Sequence, residues 1–148
     1  MSVRLAILGP GALGCLIACR LRLGLTPEQA EIVLVDHRVE RAERRTKHGL
    51  DFLPMGAEQP QRLRLPSSAE PEDLGPMDLV LVCTKSHQTE RAMAKALPLV
   101  DRNTLVWSLQ NGLGNMEALA RQLPTEQVLG GVTSEGAYWA DEDSLVPA

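Results

Sequence analysis

The residues Gly9-Pro10-Gly11-Ala12-Leu13-Gly14 stand between an apolar run, Val3-Arg4-Leu5-Ala6-Ile7-Leu8, and a segment of helical periodicity. Glycines spaced in this way can hold the pyrophosphate of a dinucleotide. Gly9 lets the chain turn sharply, Gly11 lets backbone approach the phosphates, and Gly14 lets the helix lie close to the preceding strand. The helix then aims its free N–H groups and the positive end of its dipole at the anion. Three further polar side chains fall where apolar runs end: Asp36 after Ile32-Val33-Leu34-Val35, Lys85 after Asp78–Cys83 and Thr84, and Asn111 after Thr104–Leu109 and Gln110. In open α/β sheets ligands gather beyond the carboxyl ends of strands, where strand order reverses.

Asp36 follows the glycines at roughly the twenty-residue spacing at which an acid meets the adenosine ribose. It can accept a hydrogen bond from the free 2′-hydroxyl of NAD and would repel the 2′-phosphate of NADP. Arg38, two positions on, with Arg41 as a second basic group to help it, suits that phosphate through charge-assisted contacts. Residue chemistry leaves both cofactors open. Lys85 is placed either to reach the cofactor or to stand as an exposed loop lysine. Asn111 carries a donor and an acceptor in one side chain, and beside Gly112 it also fits a turn. Gly136-Ala137 is a second place where backbone could meet ligand.

These positions require strands and helices in alternation. Leu13, Leu16, Ile17 and Leu21 form one helical face that Gly24 can end. The segment from His37 to His48 reads as a solvated helix, with Glu40–Arg44 and Glu43–Lys47 in the favourable acid-first i,i+4 order. From Leu50 to Gly75 the chain is rich in proline, and only Gln61-Arg62-Leu63-Arg64-Leu65 alternates, which predicts a short third strand. Asp78–Cys83 is the continuous apolar run of a strand buried on both faces. A helix over residues 88–97 turns Ala92, Met93, Ala96 and Leu97 inward. Thr104–Leu109 forms the next strand, Asn115 caps a helix starting at Met116, and Val128–Thr133 forms a sixth strand. The alternation predicts one domain over residues 1–148, an α/β doubly wound parallel sheet with strand order 3-2-1-4-5-6.

The length of 148 residues suffices to bury about 70% of the unfolded surface. A net charge of −4 and a pI near 5.4 give no pull toward nucleic acid or an anionic membrane. Aromatic residues make up 3% of the chain, too few for a base-stacking surface. No apolar stretch approaches the ~20 residues that span a bilayer, and no signal peptide opens the chain. These features predict a cytoplasmic protein with small-molecule or protein partners. Cys15, Cys19 and Cys83 lack metal-ligand spacing and read as buried thiols. His37, His48 and His87 are scattered, and no metal is assigned.

Four segments taken together resemble the N-terminal NADP-binding domain of the ketopantoate reductase (2-dehydropantoate 2-reductase) family. They are Gly9–Gly14, Cys83-Thr84-Lys85-Ser86, Gln110-Asn111-Gly112-Leu113-Gly114-Asn115 and Gly130-Gly131-Val132-Thr133-Ser134-Glu135-Gly136-Ala137. The resemblance runs from residue 3 to about residue 137 in order and in spacing. It implies a Rossmann-like sheet and an oxidoreductase that reduces the ketone of a small 2-keto acid with NADPH, on the route to pantothenate. It also implies that Gly9, Pro10, Gly11, Ala12, Leu13 and Gly14 hold the pyrophosphate. Lys85, Asn111 and Ala137 then contact the cofactor, with Asn111 also near the substrate. NADP is the cofactor implied; Asp36, where a basic residue is expected, keeps NAD open.

In that family a helical C-terminal domain closes over the nicotinamide and supplies a proton-donating lysine and a substrate-binding acid. This chain reaches Leu145-Val146-Pro147-Ala148 before any such segment. No catalytic residue is therefore assigned within it, Lys85 and Asn111 having supporting roles, and the chain alone is expected to reduce little ketopantoate. Leu145 and Val146 are expected to leave an apolar surface uncovered, open to self-association or to the missing C-terminal domain. Two alternatives stand beside the reductase: a non-catalytic NAD(P)-binding module or truncated product, and a reductase of another 2-keto acid.

Overall fold

The computed structural model describes residues 1–148. In chain order the elements are β1 (Val3–Leu8), α1 (Ala12–Gly24), β2 (Ala30–Val35), α2 (Val39–His48), β3 (Leu50–Phe52), β4 (Gln61–Leu63), β5 (Ser67–Ser68), β6 (Leu79–Val82), α3 (Thr89–Ala96), β7 (Leu105–Ser108), α4 (Asn115–Ala120), β8 (Val128–Gly130), β9 (Ala137–Trp139) and β10 (Ser144–Pro147). Six strands form a parallel sheet in the order β5-β2-β1-β6-β7-β8. This is the doubly wound order, and the strand sequence reverses at β1 and β6.

The apolar runs form these central strands because both faces of the sheet are covered. On one face Leu5, Ile7, Ile32, Leu34 and Leu81 join Cys15, Leu16 and Cys19 of α1 in a buried cluster. On the other, Ala6, Leu8, Val33, Val80 and Val106 pack with Met93 of α3 and Leu119 of α4. The register Leu5↔Ile32 and Ile7↔Leu34 keeps like faces aligned. No helix is long and apolar enough to cross a membrane.

A second sheet, β4-β3-β10-β9, lies over α1, and here the chain departs from its sequence pattern. Gln61–Leu65 does not supply the third strand of the parallel sheet. Its first three residues form β4, antiparallel to β3 with Leu50 opposite Leu63 and Asp51 opposite Arg62. The register is set from both sides: Leu50 and Leu63 face the cluster under α1, while Arg62 Nε meets Asp51 Oδ1 at 2.6 Å outside. The third position in the parallel sheet falls to the two-residue β5, paired with Leu34 and Val35.

Leu145, expected at an uncovered surface, is fully buried in the α1 cluster because β10 inserts between β3 and β9. The sixth strand stops at Gly130, and the chain then crosses to β9 in the second sheet. A Cβ at Gly131 would stand 2.5 Å from Trp107 Nε1. Leu97 is exposed, since α3 closes at Ala96 and passes into a 3-10 turn containing Pro98.

Candidate functional site

The glycine turn connects β1 to α1 as its spacing requires. Gly9 has φ +85° and passes so close to the loop after β6 that a Cβ would lie 2.7 Å from the Thr84 amide nitrogen. A Cβ at Gly14 would lie 2.6 Å from the Gly9 carbonyl oxygen, whereas a Cβ at exposed Gly11 would meet nothing within 4 Å. Thus Gly9 and Gly14 close the turn, and Gly11 opens it to solvent. The 13-residue helix α1 has neither a side-chain N-cap nor an acid in its first turn. The N–H groups of Ala12, Leu13 and Gly14 have no intrahelical acceptors, so they are free for an anion. The buried Pro10 carbonyl accepts from Arg45 Nη1 at 2.9 Å and from Cys15 Sγ at 3.3 Å.

Asp36 ends β2, but its side chain is occupied. It accepts Arg41 Nε at 2.5 Å, Arg41 Nη2 at 2.7 Å and the Arg38 amide at 3.0 Å. Only 2% of the residue is exposed. Burial acts to raise its pKa, but the Arg41 hydrogen bonds, the Arg38 amide and the charges of Arg41 and Arg45 outweigh it and hold the carboxyl below its ordinary value. Arg38 precedes α2, exposed, with no side-chain hydrogen bond or ion pair. Arg45 is buried, its guanidinium 5.0 Å from the Trp139 ring centre and 3.9 Å from Asp36 Oδ2. Arg45 thus braces the glycine turn from α2, a contact not expected from the sequence. The usable signal was its four-residue spacing from Arg41, which puts both on one face of α2.

A cleft of about 350 Å³ opens at the carboxyl ends of β1, β2 and β6, lined among others by Gly9, His37, Thr84, Gln88, Arg91 and Lys95. Its position beside the strand-order reversal is where an open α/β sheet binds its ligands.

Lys85 and Asn111 occupy neighbouring loops beyond β6 and β7. Lys85 is exposed, without an ion-pair partner, in extended backbone before a 3-10 turn. Asn111 is exposed too, and its carbonyl accepts from Ser86 Oγ at 2.5 Å, which fastens one loop to the other. Asn115 does not cap α4. Gly114 takes that position, and the Asn115 amide instead reaches back to the carbonyls of Asn111 and Gly112 at 3.1 and 3.2 Å. Ala137 opens β9 opposite Pro147 and packs, half-buried, against the α1 cluster.

The Ketopantoate reductase PanE/ApbA family model matches residues 5–145. The chain belongs to the ketopantoate reductase family. The 2-dehydropantoate 2-reductase of Halobacterium salinarum is 38% identical over 137 residues, covering 91% of this chain and 43% of that protein. That of Archaeoglobus fulgidus is 35% identical over 145 residues, covering 98% and 44%. The chain therefore spans less than half the length of these curated relatives. The crystal structure of 2-dehydropantoate 2-reductase from Geobacter metallireducens superposes with a TM-score of 0.84 at 31% identity, over 98% of this chain and 46% of that one. A D-mandelate dehydrogenase, solved with NADH and anilino(oxo)acetate, gives 0.85 at 25% identity, over 99% and 46%.

Proposed function

We propose that this chain is the cofactor-binding part of an NADPH-dependent 2-dehydropantoate 2-reductase. Family membership supports the reaction class, and the Asp36–Arg41 pair supports the cofactor. A carboxylate whose oxygens already accept two guanidinium N–H groups and one amide has little capacity left for a ribose hydroxyl. Its charge is neutralised as well, so it does not repel a phosphate. Arg38, exposed and unpaired beside it, is the group that takes the 2′-phosphate.

The open face at Gly11 and the uncapped start of α1 suit a pyrophosphate. When bound, the cofactor supplies a hydride to the ketone carbon of a 2-keto acid. The residues of this chain position that event. The N–H groups of Ala12, Leu13 and Gly14 hold the phosphates, and the cleft at Gln88 and Arg91 takes the adenosine. Lys85 and Asn111 flank the nicotinamide half, where the Asn111 amide can donate to a substrate oxygen and accept from a hydroxyl. Lys85 orients rather than protonates; the acid that must stand within hydrogen-bond reach of the new alkoxide comes from outside residues 1–148, in keeping with the greater length of the relatives. The protein acts in the cytoplasm, in pantothenate synthesis.

A second reading rests on the likeness to D-mandelate dehydrogenase: a reductase of a different, aromatic 2-keto acid. Saturation-transfer NMR of the chain with NADP separates the two. A signal from 2-dehydropantoate that Asn111→Ala abolishes supports the first reading. A signal only from phenylglyoxylate supports the second.

A further inference from the structure

Between the Lys85 and Asn111 loops lies a group of polar side chains that neither strand pairing nor helix capping uses. At its centre is Thr89, the first residue of α3 and 1% exposed. Its Oγ1 stands 2.9 Å from the Ser86 carbonyl and 3.1 Å from Asn115 Oδ1, and it accepts the Gln110 amide at 2.7 Å. The same Gln110 nitrogen lies 2.9 Å from both the carbonyl and the hydroxyl of Thr84. Ser108 Oγ holds the other end of Gln110, donating to Oε1 at 3.0 Å. Asn115 completes the circuit at the Asn111 and Gly112 carbonyls.

Each loop is thus bonded through backbone carbonyls to one hub. Thr84 and Ser86 bracket Lys85 on one side; Asn111 and Gly112 lie on the other. The hydroxyl of Thr89 owns one proton and faces two acceptors, so it is shared between the loops. Buried networks of this kind fix geometry because each member, once orphaned, costs the desolvation of its neighbours.

We propose that Thr89 is a positioning residue, which through Gln110 and Asn115 sets the separation of Lys85 and Asn111 for the nicotinamide half of the cofactor. This rests on the reading of Lys85 and Asn111 as cofactor contacts. The consequence is selective: loss of the hydroxyl should weaken binding of the nicotinamide half and leave the adenosine half alone.

The test compares NADPH with 2′-phospho-ADP-ribose, which lacks the nicotinamide, as ligands of the 148-residue chain. Thr89→Val should weaken NADPH binding about tenfold and leave 2′-phospho-ADP-ribose within about twofold, while Thr89→Ser restores NADPH binding. Ser86→Ala, at an exposed position that does not threaten the fold, should show the same selective loss in smaller measure. No weakening of NADPH binding by Thr89→Val, or equal weakening of both ligands by Thr89→Val and by Ser86→Ala, would overturn the proposal. If the unmodified chain binds 2′-phospho-ADP-ribose as tightly as NADPH, the assignment of Lys85 and Asn111 fails first, and the role of Thr89 falls with it.

Discussion

Arg41 grips Asp36 with two N–H groups, Nε at 2.5 Å and Nη2 at 2.7 Å, at the end of the second strand. An acid at this position would ordinarily select for the ribose hydroxyl of NAD. The arginine five residues later occupies and neutralises it, and on the function proposed above the cofactor choice passes to Arg38.

Arg41→Met should release that carboxylate. Asp36 would keep the Arg38 amide and the more distant Arg45 charge, so the loss should be about 2 kcal/mol, within the range for hydrogen bonds to charged groups and below that for a fully orphaned buried ion. Urea unfolding measures it. The same variant should bind NADPH less tightly relative to NADH.

Acid should reveal the same pair. The folded-state pKa of Asp36 is depressed. Its contribution is therefore fully present above the unfolded value of about 3.9 and is lost as pH falls through the lower, folded value. Unfolding free energies from pH 6 down to pH 2 should decline less steeply below about pH 4 in Arg41→Met than in the unmodified chain.

Two glycines should separate folding from binding. Gly9→Ala places a Cβ 2.7 Å from the Thr84 nitrogen at φ +85° and should cost about 1–3 kcal/mol of stability. Gly11→Ala meets nothing within 4 Å. Its stability should stay within about 0.5 kcal/mol, while pyrophosphate binding falls about tenfold or more. Thermal melts paired with ADP-ribose titration check both.

Burial raises the thiol pKa of Cys15 to about 11 and of Cys83 to about 12, and that of Cys19 further still. At pH 8 the folded chain should react slowly with a disulfide reagent, because the thiolate is the nucleophile. After unfolding in guanidinium, all three thiols should react at once.

The sequence disclosed the parts of the fold that local pattern controls. Continuous apolar runs and the Gly9–Gly14 spacing placed β1, α1, β2 and β6, because a strand buried on both faces needs such runs and a tight βα turn needs such glycines. The second sheet was not legible. Its strands of three or four residues gain their stability by covering α1, so residues as distant as Leu50, Phe52 and Leu145 had to meet before any periodicity could show it. At the site, Lys85 and Asn111 were legible as strand-end residues. Asn115 was misread as a cap, since sequence does not reveal whether an amide reaches forward along a helix or back to a loop carbonyl. Asp36 and Arg38 left the cofactor open for a related reason: the partner that occupies Asp36 comes from the opposite side of a turn.

The most direct measurement is titration of the 148-residue chain with NADPH and with NADH, followed by nicotinamide fluorescence, in the unmodified and Arg38→Ala forms. Arg38 as the 2′-phosphate ligand requires NADPH to bind at least about tenfold tighter than NADH, with the difference removed by Arg38→Ala. Equal or tighter binding of NADH, unchanged by Arg38→Ala, would contradict it.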